Sequence, residues 1–135
     1  MNEPALMLEM LRGKTIAVVG LSDNPGKASH GVSRVMQQAG YRIFPVNPAV
    51  QTVLGETSYA SLADLPERPD IVNVFRLPKA IPGIVDEMIA LDLKHLWVQL
   101  GIVHLEAAER AESAGIGVVM DHCIMVEHAR LASAL

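Results

Sequence analysis

The stretch Lys14-Thr-Ile-Ala-Val-Val-Gly20-Leu-Ser-Asp-Asn-Pro-Gly26-Lys-Ala-Ser-His30 leaves this chain few options for its fold. Thr15 to Val19 is a short apolar, β-branched run ending at Gly20. That is the pattern of a strand buried on both faces. A polar loop with Gly26 and Lys27 follows. Val32, Val35, Met36 and Ala39 then recur at helical spacing until Gly40 stops the pattern. Strand, glycine loop and helix together make a phosphate-cradling unit. Loop N–H groups and the partial positive charge of the helix start converge on an anion. Ser29 is placed to cap that helix.

The rest of the chain repeats the alternation. Pro4 to Arg12 reads as a short helix stopped by Gly13. Tyr41 to Val46 is a second strand, ended by Asn47-Pro48. Gln51 to Tyr59 holds a short extended piece turning at Gly55, and Ser61 to Leu65 one helical turn before Pro66. Asp70 to Phe75, His95 to Leu100 and Gly117 to Met120 are further strands. Between them lie a helical run after Pro78 and Lys79 to Leu91, with Pro82 in its first turn and Ile84, Val85, Met88 and Ile89 inward, and a helix from His104 to Ser113, with Leu105, Ala108 and Ala111 inward. Ile124 to Leu135 reads as a closing helix. Alternating strands and helices require right-handed crossovers and a parallel sheet covered on both faces. The expectation is an α/β, Rossmann-like domain over residues 1–135, with five parallel strands in the order 3-2-1-4-5. Ligands of such sheets bind outside the carboxyl ends of the strands, at the switch point, here expected between the first and fourth. Gly20–Lys27, Asn47–Pro48, Phe75–Lys79, Gln99–Ile102 and Asp121–Cys123 are the positions that face such a ligand.

Composition removes several function classes. The net charge of −4 argues against a general nucleic-acid or membrane surface. No apolar run approaches the roughly 18 residues of a spanning helix. Met1 to Arg12 carries Glu3 and Glu9 and no basic front end, so it is not expected to be a signal peptide. The single cysteine, Cys123, excludes an internal disulfide framework and suits a reducing compartment, so a cytoplasmic location is expected. An anionic ligand must then be held by local donors rather than by the field of the whole chain.

Two common nucleotide loops do not match. A P-loop needs four residues between its glycines and a hydroxyl after the lysine, whereas five residues separate Gly20 from Gly26 and Ala28 follows Lys27. The dinucleotide fingerprint wants glycine where Ser22 stands and a carboxylate at the end of the second strand. That strand ends in neutral Asn47-Pro48, which removes both the acceptor for a ribose diol and the repulsion of a ribose phosphate. NADP or coenzyme A is consistent with this. So is a plain tight turn.

At this point the residues carry a resemblance. Ala17-Val-Val-Gly20-Leu-Ser22, Tyr41-Arg-Ile-Phe-Pro-Val-Asn47-Pro48, Leu54-Gly-Glu56, Ser61-Leu-Ala-Asp-Leu-Pro66 and Val74-Phe-Arg76 occur in order. Trp97-Val-Gln99-Leu-Gly-Ile102, Glu106-Ala-Ala and Val119-Met-Asp-His-Cys123 follow. From about Leu11 to Leu131 the chain resembles the small stand-alone CoA-binding domain proteins, which are similar in fold to the CoA-binding domain of the succinyl-CoA synthetase α subunit. The resemblance implies coenzyme A as the ligand and no established reaction. It implies backbone and hydroxyl contacts to the pyrophosphate from Gly20, Leu21 and Ser22, with Lys27 neutralising it and Ser29 at the helix start. Asn47 and Pro48 would border the adenosine, Phe75 and Arg76 would cover the adenine or pantetheine side, and Gln99 would bond near the pantetheine arm. Lys27 and His122 stand where the family commonly carries arginine.

Other chemistry has little support. His122, Cys123 and His128 match no strong zinc spacing, and adjacent residues on an extended segment point to opposite faces, which disfavours a His122–Cys123 catalytic pair. The leading expectation is a module that binds CoA or a small acyl-CoA. An NADP- or acyl-CoA-dependent enzyme needing a partner chain, and a ligand-sensing regulatory protein, stand as alternatives. A homodimer is compatible with so small a sheet, but no residue pattern fixes an interface.

Overall fold

The computed structural model describes residues 1–135. Helix α1 (Pro4–Leu11) leads into strand β1 (Thr15–Val19), helix α2 (Ala28–Gln38) and strand β2 (Arg42–Val46). A small hairpin follows, β3 (Thr52–Val53) with β4 (Glu56–Thr57), and then one 3-10 turn at Leu62–Asp64. Strand β5 (Ile71–Val74), helix α3 (Ile81–Ala90), strand β6 (His95–Val98), helix α4 (Leu105–Ser113), strand β7 (Gly117–Met120) and helix α5 (Ile124–Leu131) complete the alternation.

The main sheet has five strands, all paired in parallel, in the order β2-β1-β5-β6-β7. The class is as the alternation requires, but the expected order 3-2-1-4-5 is wrong. The third main-sheet strand, β5, does not lie outside β2. It pairs with the other side of β1, from Ile16↔Ile71 to Val19↔Val74. Pro45 supplies a physical reason. It sits mid-strand in β2, and its carbonyl faces the outer edge, where it accepts from the Tyr59 N–H at 3.0 Å. Proline has no N–H to offer a further strand on that side, so the edge takes only the single bridge Val46↔Tyr59. The switch point therefore falls between β1 and β5, not between the first and fourth strands.

Alternation along the strands divides the core in two. Ala17, Phe44, Val72, Leu96, Val98 and Val118 face α3 and α4, which contribute Ile81, Val85, Met88, Ala107, Ala108 and Ala111. Ile16, Val18, Ile43, Ile71, Trp97 and Val119 face α1, α2 and α5, which contribute Met7, Met10, Val32, Met36 and Ile124. Both faces of the sheet are thus covered, the condition a parallel sheet must meet. Two residues expected inward are instead exposed, Ile89 on α3 and Leu105 at the start of α4. No helix is long and apolar enough to cross a membrane.

Candidate functional site

The carboxyl ends of β1, β2 and β5 are knotted together at Gly20. Its N–H donates to the Val46 carbonyl at 2.9 Å, and the Phe75 N–H donates to the Val19 carbonyl at 2.9 Å. Gly20 has φ +89°, a region that favours glycine. A Cβ there would stand 2.8 Å from the Phe75 carbonyl oxygen and 2.9 Å from Arg76 Cδ. The bare glycine therefore lets the Arg76 side chain lie across the end of β1. Arg76 is exposed and pairs with no carboxylate.

The loop after Gly20 is wound by its own side chains. The Ser22 N–H donates to Ser29 Oγ at 3.0 Å, the Asn24 N–H to Ser22 Oγ at 3.0 Å, and the Gly26 N–H to Asn24 Oδ1 at 2.9 Å. Leu21 is fully buried, so only its backbone is available to a ligand. Ser29 is not the helix cap that its sequence position promised. Lys27 occupies the cap position without a side-chain bond, and Ser29 sits inside the first turn with its hydroxyl turned back to the loop. Two consequences bear on anion binding. The N–H groups of Ala28 and Ser29 have no acceptor within the protein, which leaves the positive end of α2 open. Lys27 stands beside them, exposed and unpaired with any carboxylate.

Asn47 is fully engaged. Its Nδ2 donates to the Leu21 carbonyl at 3.0 Å and its Oδ1 accepts from the Ala49 N–H at 2.9 Å. Its backbone N–H donates to Tyr59 and its carbonyl accepts from Ser58 Oγ. Asn47 thus fastens the β2 turn to the loop after β1, and Pro48 next to it is exposed. Phe75 is half-buried and packs against the α2 side of the core. Gln99 follows β6, and its N–H extends the ladder to the Val74 carbonyl at 3.1 Å. The residue is only 7 % exposed, and its Oε1, itself buried, has no hydrogen-bond partner. A buried acceptor without a donor is costly. Asp121, at φ +65°, accepts from the Gly101 N–H at 2.7 Å and so holds the turn after β6 against the end of β7.

A family model described as the CoA binding domain matches residues 14–129. The chain belongs to the CoA-binding domain family. It is 47% identical over 118 residues to the uncharacterised protein YneT of Bacillus subtilis, covering 87% of each chain. A solved structure of cell-free ID.343 from Thermus thermophilus superposes with a TM-score of 0.90 at 44% identity, covering 97% of this chain and 99% of that one. The chain is also 24% identical over 129 residues to acetate–CoA ligase [ADP-forming] I of Archaeoglobus fulgidus, matching 88% of this chain but only 19% of that enzyme.

Within this member of the family, the residues singled out from sequence divide into two groups. Gly20, Leu21, Ser22, Lys27, Ser29, Asn47, Pro48, Phe75 and Arg76 lie around the ends of β1, β2 and β5. Gln99 stands one strand further, past the switch point. Ser33 was not singled out, although its Oγ is also buried and unpartnered. The signal was present: Ser29 and Ser33 are polar residues four apart, on the helix face that also carries Val32 and Met36. His104 has a structural task, its Nδ1 accepting from the Ala107 N–H at 3.1 Å to cap α4. The two cavities of the molecule lie elsewhere. One of about 340 Å³ opens at the amino edge among Arg12, Lys14, Tyr41 and His128, and one of about 270 Å³ lies between Leu62–Pro69 and Leu91–Leu93. Neither lies at the carboxyl edge, but that is the edge that carries the free N–H groups of Ala28 and Ser29 beside Lys27. That chemistry outweighs enclosure in choosing between them.

Proposed function

We propose that this domain binds coenzyme A, or a small acyl-CoA, across the carboxyl edge of the sheet. The observation that carries the reading is the start of α2: two unpaired backbone N–H groups, at Ala28 and Ser29, beside the free ammonium of Lys27. A pyrophosphate is the ligand group that such a start accepts. Arg76, lying over Gly20, supplies a second cation from the neighbouring strand end. Gln99, at the end of β6, stands toward the pantetheine arm and would hydrogen-bond near it. Asn47 and Pro48 border the adenosine from the β2 side, with Asn47 acting through the turn it holds. A cytoplasmic setting suits a protein whose one thiol, Cys123, has no disulfide partner. No reaction is assigned. Calorimetric titration with CoA, dephospho-CoA, NAD and NADP tests the reading: CoA should bind tightest, and tighter binding of NAD than of CoA would refute it.

A further inference from the structure

The cavity of about 340 Å³ at the amino edge has no part in the reading above. It lies where α1 ends and where β1 and β2 begin, beside α5, and Leu11, Arg12, Lys14, Tyr41, His128 and Leu135 are among the residues that line it. Its size is at the small end of small-molecule sites, roughly 300–1,000 Å³, and suits a compact metabolite. The charge of the lining is one-sided. Arg12 and Lys14 line the cavity, no aspartate or glutamate does, and neither cation is ion-paired. Carboxylates of the adjoining segments are engaged elsewhere: Asp70 accepts from the N–H groups of Lys14 at 2.7 Å and Thr15 at 3.1 Å, and Glu127 on α5 holds Arg130. Carbonyls at the ends of α1 and α2 are taken as well. Leu11 accepts from the Tyr41 hydroxyl, Met10 from the Gly13 N–H, Met36 from the Tyr41 N–H and Gln37 from the Gly40 N–H. On a chain of net charge −4, this corner keeps two cations without a counter-charge. The other cavity differs, because its Glu67 and Arg68 are each paired, with Arg42 and Asp92.

We propose that the amino-edge cavity binds a compact organic anion, with its acidic head group, carboxylate or phosphate, on Arg12 and Lys14 and its apolar body against Leu11 and Tyr41. The guanidinium fork and the ammonium match either head group. Arg12 is partly positioned for the task, its Nη2 donating to the Ala134 carbonyl at 3.3 Å. Leu11 and Tyr41 are both buried, and the Tyr41 hydroxyl is already used, so Tyr41 offers the cavity only its ring. That ring is braced edge-on by His128, with centroids 5.6 Å apart. The site lies on the edge opposite the one assigned to CoA and does not depend on that assignment.

The test is a titration of the isotope-labelled full chain, followed by amide NMR, with benzoate, phenyl phosphate, neutral benzamide and inorganic phosphate. Benzoate or phenyl phosphate should shift the Gly13, Gly40 and Tyr41 signals saturably, and the tighter of the two names the head group. Benzamide should bind at least about fivefold more weakly than benzoate, for want of the charge. Inorganic phosphate should bind at least about fivefold more weakly than phenyl phosphate, for want of the ring. Arg12→Gln and Lys14→Gln should each weaken the tighter anion by roughly two- to fivefold, as for an exposed ion pair, with the unfolding curve unchanged. Absence of a saturable shift at this corner overturns the proposal. So does equal binding of the charged and neutral probes, equal binding of the two phosphates, or unchanged affinity in the double variant. Shifts at Ala28 and Ser29 in place of the corner also overturn it, by sending the anion to the start of α2. Saturating CoA should leave the benzoate shifts in place, and competition between the two overturns the separate site. A chain that binds benzoate here but no CoA refutes only the reading of the carboxyl edge.

Discussion

The Cα of Gly20 faces the Arg76 side chain so closely that an added methyl would stand 2.9 Å from Arg76 Cδ. The same methyl would meet the Phe75 carbonyl at 2.8 Å, and the backbone there has φ +89°. Gly20→Ala therefore combines a left-handed backbone with two close contacts. It should destabilise the fold by roughly 1–3 kcal/mol in urea denaturation. Because Arg76 must shift, CoA affinity should fall further than the loss of folded protein explains.

Gln99→Met separates function from stability. The buried Oε1 of Gln99 has no donor. Methionine has a similar length and asks for none. Removing an unsatisfied buried acceptor should raise the unfolding free energy, by about 1 kcal/mol, while CoA binding weakens. A loss of stability in Gln99→Met would mean that Oε1 is satisfied by an ordered water in the free protein.

Those two positions also show what could be read from sequence. Gly20 was legible because a glycine closing a β-branched run and opening a polar loop has few other uses. Gln99 was legible because a polar residue continuing Leu96-Trp97-Val98 must find a partner when buried. Strand order was not read correctly, since alternation of strands and helices is the same for 3-2-1-4-5 and for the observed sheet. The discriminating residue was Pro45, mid-strand in β2, which marks an edge. Ser29 was misread because cap preference is a local rule. Here the tertiary bond from the Ser22 N–H claims its hydroxyl one turn into the helix.

Asn47→Asp should be destabilising even though it is nearly isosteric. The Nδ2 group of Asn47 donates to the Leu21 carbonyl. A carboxylate there would place two acceptors together and strip the β1 loop of its tie to β2. A loss of about 1–3 kcal/mol is expected in chemical denaturation at neutral pH. It should shrink as pH is lowered and the new carboxyl protonates, because a protonated carboxyl can again donate to Leu21. A ligand preference that changes from CoA to NAD with stability unaltered would instead show that Asn47 selects the ribose directly.

Tyr41 provides a pH-dependent check on the opposite edge. Its hydroxyl donates to the Leu11 carbonyl, and burial pushes its phenol above the ordinary value near 10. The neutral form is the one the fold favours. This contribution to stability is therefore whole below about pH 10 and is lost as pH rises from there through the raised value. Tyr41→Phe should lower stability by about 1 kcal/mol at neutral pH. Its stability should also fall less steeply than that of the unaltered protein above pH 10, as measured by denaturant titration.

Lys27 and Arg76 follow different strands, β1 and β5, and neither is paired with a carboxylate. Neither side chain contributes a hydrogen bond to the fold, Lys27 being a helix cap through its backbone alone. Lys27→Ala and Arg76→Ala should therefore leave the unfolding free energy within about 0.5 kcal/mol of the unaltered protein. Each should weaken CoA by roughly 1–3 kcal/mol, the range for a charge-assisted contact. Both are exposed, so salt should screen them, and the affinity lost between low and physiological ionic strength should be smaller in each variant. Lys27→Arg keeps the charge and adds a second donor, so it should bind CoA at least as tightly. An Arg76→Ala protein with unchanged CoA affinity would move the pyrophosphate away from β5 and leave it to the start of α2 alone.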